Sequence, residues 1–126
     1  MRRRAALALE ILAAYASVRR LLWRRDFPEA LAAVRGVRAR RTAEGDPRAV
    51  GRGLGRAVAR TLTPLPADSR CLVRSLVLLR LLARRDIPAR LVLGVTPGER
   101  FAAHAWVEQD GVPVLSPGGF ERLAEL

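Results

Sequence analysis

Apolar positions recur with helical spacing through the first half of the chain and crowd into short strand-like runs in the second. Leu7, Ile11, Leu12, Tyr15, Val18 and Leu22 fall on one face at 3.6 residues per turn, which predicts a first helix over residues 5–25. Asp26 is placed to cap a second helix, with Pro28 in its first turn and Glu29 three residues on, as in a capping box. That helix is expected to run to about Arg41, with Ala30, Leu31, Val34 and Val37 inward. Residues 42–45 form a break. Asp46-Pro47 starts a third helix that reaches Leu62, with Val50, Leu54, Val58 and Leu62 on one side. Gly51, Gly53 and Gly55 weaken it and imply a close crossing or a frayed start.

Thr63-Pro64-Leu65-Pro66 is a rigid connector. Asp68 and Ser69 can cap a fourth helix that holds Cys71 and stops near Arg85, ahead of Pro88. Leu72, Val73, Leu76, Val77, Leu79 and Leu81 cover most of its girth, so it is expected to lie between layers, with its arginines gathered on one side. Residues 89–95 predict a strand, 96–100 a turn, 101–108 a second strand and 112–116 a third, with a short helical turn in 117–126. The fold class is therefore α+β: a helical N-terminal region over residues 1–62, then, over 63–126, one central helix packed on a small antiparallel sheet. The two parts are expected to pack as a single domain. A three-residue hairpin loop at residues 109–111 pairs Glu108 with Val112, Trp106 with Val114 and His104 with Ser116. A two-residue loop moves Ser116 to the other sheet face.

Composition narrows the classes of function. One cysteine in 126 residues excludes an internal disulfide and a cysteine-based metal cluster, and fits a reducing cytoplasmic setting. The net charge is +11, and every basic residue is Arg. Such a field attracts acidic peptides, nucleic acid or anionic membranes. The start, Met1-Arg2-Arg3-Arg4 followed by an Ala-rich run, imitates a signal peptide, but Glu10 interrupts it and Arg19-Arg20 follow closely. The reading is a soluble amphipathic helix and not a membrane span, with peripheral membrane contact as the minority alternative.

The single Cys and the single His supply the candidate chemistry. Cys71 is expected in the first turn of its helix, where backbone N–H groups and the helix dipole favour a thiolate and can hold an oxyanion. His104, on a strand, can act as its base. Trp106 can shield the site and contact a bound peptide. From position alone the opposing reading stands beside this: an inert buried thiol and a histidine with no catalytic part.

Three segments carry a resemblance. They are Arg70-Cys71-Leu72-Val73-Arg74-Ser75-Leu76, then Ile87-Pro88-Ala89-Arg90-Leu91-Val92-Leu93-Gly94-Val95, then Ala103-His104-Ala105-Trp106-Val107-Glu108 with Asp110-Gly111. Together, over about residues 68–117, they resemble the transglutaminase-like leader peptidase of lasso-peptide biosynthesis. The resemblance implies a transglutaminase/papain-like core and a cysteine peptidase that removes the leader from a ribosomally made precursor peptide. It implies Cys71 as nucleophile and His104 as general base and acid; by position, Cys71 and Trp106 are the candidates for the oxyanion site and pocket. It also implies a separate leader-binding protein and an ATP-dependent, asparagine-synthetase-like cyclase as partners, with no cofactor and no metal of its own. Arg70 and Arg74 are candidates for docking the substrate or a partner. The family places an acidic residue about where Ser116 stands; here that third member is a hydroxyl, with Glu108 and Asp110 as substitutes or a Cys–His dyad as the alternative. Two other functions compete: a basic helical nucleic-acid binder, and a non-catalytic docking protein of the same fold.

Overall fold

The computed structural model describes residues 2–36, 45–63, 70–95, 103–114 and 121–125. Four helices come first: α1 (Arg2–Arg24), α2 (Phe27–Arg35), α3 (Pro47–Leu62) and α4 (Arg70–Arg84). Four strands follow: β1 (Arg90–Val95), β2 (Ala103–Gln109), β3 (Val112–Pro113) and β4 (Glu121–Glu125). They form one antiparallel sheet in the order β3-β2-β1-β4.

The helix starts follow from their caps. Asp26 accepts from the Glu29 backbone N–H (3.1 Å) and Asp46 from that of Arg48 (3.3 Å), each with a proline in the first turn. Helix α2 is shorter than its periodicity predicts: it closes at Arg35 with Gly36 as cap, and Val37 lies outside the described residues.

Helix α4 is the axis of the molecule. It touches α1, α2, α3, β1 and β2, and Leu76, Val77, Leu81 and Leu82 are fully buried. Full burial of such a side chain contributes about 1.5–3 kcal/mol. Ile11, Ala14 and Val18 bring α1 onto it, and Leu54, Val58 and Leu62 bring α3. Leu12, expected inward, is instead exposed, because it lies about 100° round α1 from Ile11.

The arginines gathered on one side of α4 are not all at the surface: Arg85, just past its end, is buried. Its guanidinium meets the Glu10 carboxylate through two bonds of 3.0 and 2.9 Å and also donates to the Leu81 carbonyl (3.0 Å). Both side chains are largely withdrawn from water, at 10% and 15% exposure. Glu10, which interrupts the apolar run of α1, is therefore the partner that lets an arginine enter the interior.

Helix α4 ends in a Schellman motif. Ile87 N–H bonds the Leu82 carbonyl and Asp86 N–H the Ala83 carbonyl, with Asp86 in the left-handed region at φ 58°. Glycine occupies that region without the steric cost an aspartate bears. Asp86→Gly is expected to stabilise the fold by about 0.5–1 kcal/mol, read as a higher urea midpoint at unchanged slope.

The weakness implied by the α3 glycines has a specific cause at Gly51. The buried Gln109 side chain lies against its Cα and donates through Nε2 to the Pro47 carbonyl (3.0 Å). A Cβ there would collide with that amide, whereas at Gly53 it would meet nothing within 4 Å. Gly53→Ala is expected to raise stability by about 0.5–1 kcal/mol. Gly51→Ala is expected to give no such gain, because the loss of the Gln109 contact cancels it. Thermal melts of the two variants side by side check the difference.

Two sheet expectations need correcting. The segment near the C-terminus is not a helical turn: Glu121–Glu125 is a strand that pairs antiparallel with β1, whose outer edge would otherwise lack a partner. The β2–β3 hairpin loop has two residues, not three. Asp110 and Gly111 both have positive φ, 52° and 79°, as a type I′ turn requires, and the twist of that turn matches the strands. Glu108 consequently faces Pro113 and Gln109 faces Val112.

Candidate active site

Helix α4 is described from Arg70 on, with Cys71 in its first described turn. The caps proposed for it, Asp68 and Ser69, lie outside the described residues. His104 is the second residue of β2 and pairs with Gly94 of β1.

One contact brings these two places together. Ser75 Oγ donates to the Ala105 carbonyl at 3.1 Å, in a buried setting. Ser75 is four residues beyond Cys71, one turn or about 6 Å along the axis. Ala105 is the residue after His104. The turn that carries the thiol is thus fastened beside the strand that carries the imidazole.

The carbonyl itself explains why a hydroxyl is needed there. Val114 N–H bonds the Val107 carbonyl at 2.9 Å, so Val107 turns its backbone groups toward β3. Ala105, two residues earlier, turns its carbonyl to the same edge, beyond the last described β3 bond. A buried carbonyl without a donor costs about 1–3 kcal/mol, and Ser75 supplies the donor. Sequence reasoning missed this residue. The available signal is a hydroxyl one turn after Cys71 on an otherwise apolar helix.

Both faces of β2 are buried. Ala105 and Val107 join the core that includes α4. On the opposite face Trp106 pairs across the sheet with Val92, and its indole Nε1 donates to Glu108 Oε2 at 2.8 Å. Trp106 is 6% exposed, so it belongs to the packed sheet more than to an open pocket wall.

The carboxylates named as substitutes for a third member stand far from His104. Glu108 is four residues along β2, about 13 Å, and receives the indole hydrogen bond. Asp110 is six residues away, about 20 Å, at the hairpin tip, 3.9 Å from the exposed Arg48. Ser116 lies outside the described residues, and the pairing that set it opposite His104 is replaced by the two-residue register.

Arg74, half-buried, donates from Nη2 to Thr63 Oγ1 at 3.3 Å. Thr63 in turn donates to the Ala59 carbonyl at the end of α3. Arg74 therefore ties the two ends of the connector that leads into Cys71. Arg70 begins the helix. No three His, Cys, Asp or Glu side chains converge to hold a metal ion among the described residues, and no helix among them is long and apolar enough to cross a membrane.

Searches of curated proteins and of solved structures return no match to the chain. A family profile described as Transglutaminase-like superfamily matches residues 5–126, front helices included. A superfamily that includes cysteine proteases fits a lone cysteine in the first turn of a central helix, bonded one turn on to the strand that carries the lone histidine. On that match, which spans almost the whole length, the chain belongs to the transglutaminase-like superfamily.

Proposed function

We propose that this protein is a cysteine peptidase that removes the leader from a ribosomally synthesised lasso precursor peptide. The observation that supports the reading is the Ser75–Ala105 hydrogen bond, which joins α4 one turn after Cys71 to β2 one residue after His104, in a chain of this superfamily. The motif around Arg70-Cys71-Leu72 and the run His104-Ala105-Trp106-Val107-Glu108 supply the leader-peptidase assignment.

In this mechanism Cys71 Sγ, as thiolate, attacks the scissile carbonyl carbon. The oxyanion is received by free backbone N–H groups in the first turn of α4. His104, protonated, gives its proton to the leaving amine, the C–N bond breaks, and the core peptide departs. Water, deprotonated by His104, then attacks the thioester and frees the leader as a carboxylate with Cys71 restored. No ATP or metal enters these steps. A separate leader-binding protein delivers the precursor, and an asparagine-synthetase-like cyclase closes the ring on the released amine.

The test incubates the protein with such a precursor and leader-binding partner and follows leader release by mass. Release by wild type and none by Cys71→Ala or His104→Ala supports the reading. Equal release by all three sinks it. Ser116→Ala in the same assay assigns the third position: a lower kcat makes Ser116 the residue that orients His104, and an unchanged kcat leaves a Cys–His dyad.

A further inference from the structure

The outward side of α1 is apolar. At 3.6 residues per turn Ala5, Leu9, Leu12, Ala16 and Trp23 fall within an arc of about 60°, opposite the core residues Ile11, Ala14 and Val18. All five are exposed. Trp23 is 84% exposed, Leu9 68% and Leu12 40%, and only Val112 joins them as an exposed large apolar side chain among the described residues. Composition does not force this. The adjoining α3 turns Arg48, Arg52, Arg56 and Arg60 to solvent. A contiguous apolar stripe on the next helix marks a surface that something covers.

The borders of the stripe select what covers it. Arg19 and Arg20 stand on its two sides and Arg24 follows Trp23, all exposed. The single carboxylate of α1, Glu10, is paired inward with Arg85, so the outward side carries positive charge alone. A second copy laid on this face would set guanidinium groups against guanidinium groups. A protein groove that holds a helix takes large anchors at i, i+3, i+4 and i+7. Here Leu12 and Trp23 are about three turns apart, and Ala13, Ala16, Arg19 and Arg20 lie between them on this side. A nucleic acid would set Leu9 and Leu12 against phosphates with no donor to offer. An acyl layer adapts to uneven side chains, and anionic headgroups match the arginine borders.

We propose that α1 lies along the surface of an anionic lipid bilayer. Leu9 and Leu12 enter the boundary between headgroups and acyl chains, and the alanines let the backbone approach it. Trp23 sits at headgroup level, which suits an indole. Arg19, Arg20 and Arg24 lay their stems on the apolar layer and bond lipid phosphates with their guanidinium groups. The stripe is about 27 Å long and contacts the bilayer lengthwise. The attachment stands whether or not Cys71 is a nucleophile.

Vesicle titration of the full-length protein tests this. The probes are vesicles of equal parts phosphatidylcholine and phosphatidylglycerol, and vesicles of phosphatidylcholine alone. The chain has two tryptophans, and Trp106 is 6% exposed, so a change in emission reports Trp23. The expected result is a blue shift with the anionic vesicles, quenching by brominated acyl chains, and partition at least about tenfold weaker to the neutral ones. Leu9→Gln/Leu12→Gln is expected to weaken anionic binding at least about tenfold. Both side chains are exposed, so the variant keeps its fold, which circular dichroism checks. Val112→Gln, an apolar loss away from α1, is expected to leave binding within about twofold. The proposal is overturned by an unshifted Trp23 with anionic vesicles, by equal binding to neutral ones, or by wild-type binding of Leu9→Gln/Leu12→Gln. It is also overturned by a lipid-free dimer in sedimentation that this variant dissociates, which would seat a second copy on the stripe.

Discussion

Cys71→Ala protein is expected to release no measurable leader, a loss of at least about 10³-fold relative to wild type. The size follows from the proposed role: the thiol forms the covalent bond, and the chain holds no second cysteine to take its place. His104→Ala is expected to fall by a similar factor, and the double variant no further, because nucleophile and base act as one unit. The chain has one cysteine, so iodoacetamide can leave one thiol adduct, and that adduct is expected to inactivate the enzyme in step with its formation. Alkylation to completion with activity retained would exclude the thiol mechanism. Circular dichroism of each variant separates loss of chemistry from loss of fold.

The second large effect is on stability. Glu10→Ala is expected to cost about 3–5 kcal/mol, because it leaves the Arg85 guanidinium buried without its counter-charge. For a chain of this length that lowers the melting temperature by on the order of 10 °C. Replacing both partners, Glu10→Leu with Arg85→Met, is expected to recover most of the loss, since apolar groups of similar size fill the space without a desolvated charge. The comparison of single and double variants in urea melts carries the argument. A cost under about 1 kcal/mol for Glu10→Ala would place the pair among solvent-screened ion pairs.

The helical half was largely legible because its signals are local. Asp26 and Asp46 cap, prolines follow, and the apolar stripes match the buried faces of α1, α3 and α4. What escaped depends on neighbours distant in sequence. Glu10 reads as an interruption until Arg85, 75 residues on, is placed beside it. The residues of β4 include good helix formers, and they become a strand because β1 offers an open edge. The hairpin turned on one detail. Asp110 accepts positive φ, so the loop closes in two residues and every partner beyond it shifts by one. That single step removed the basis for setting Ser116 opposite His104.

The hydroxyl link between Ser75 and Ala105 spans 30 residues and joins parts that form by different routes. The helix with its thiol can assemble from short-range contacts, whereas the histidine acquires its place only when β2 has been zipped onto β1 and laid against the helix. On the proposed mechanism, a newly made chain therefore carries a nucleophile with no base beside it. On that mechanism, reactivity arrives only when β2 docks. On the proposed function, the fold acts as its own safety catch, sparing surrounding polypeptides from a half-built protease.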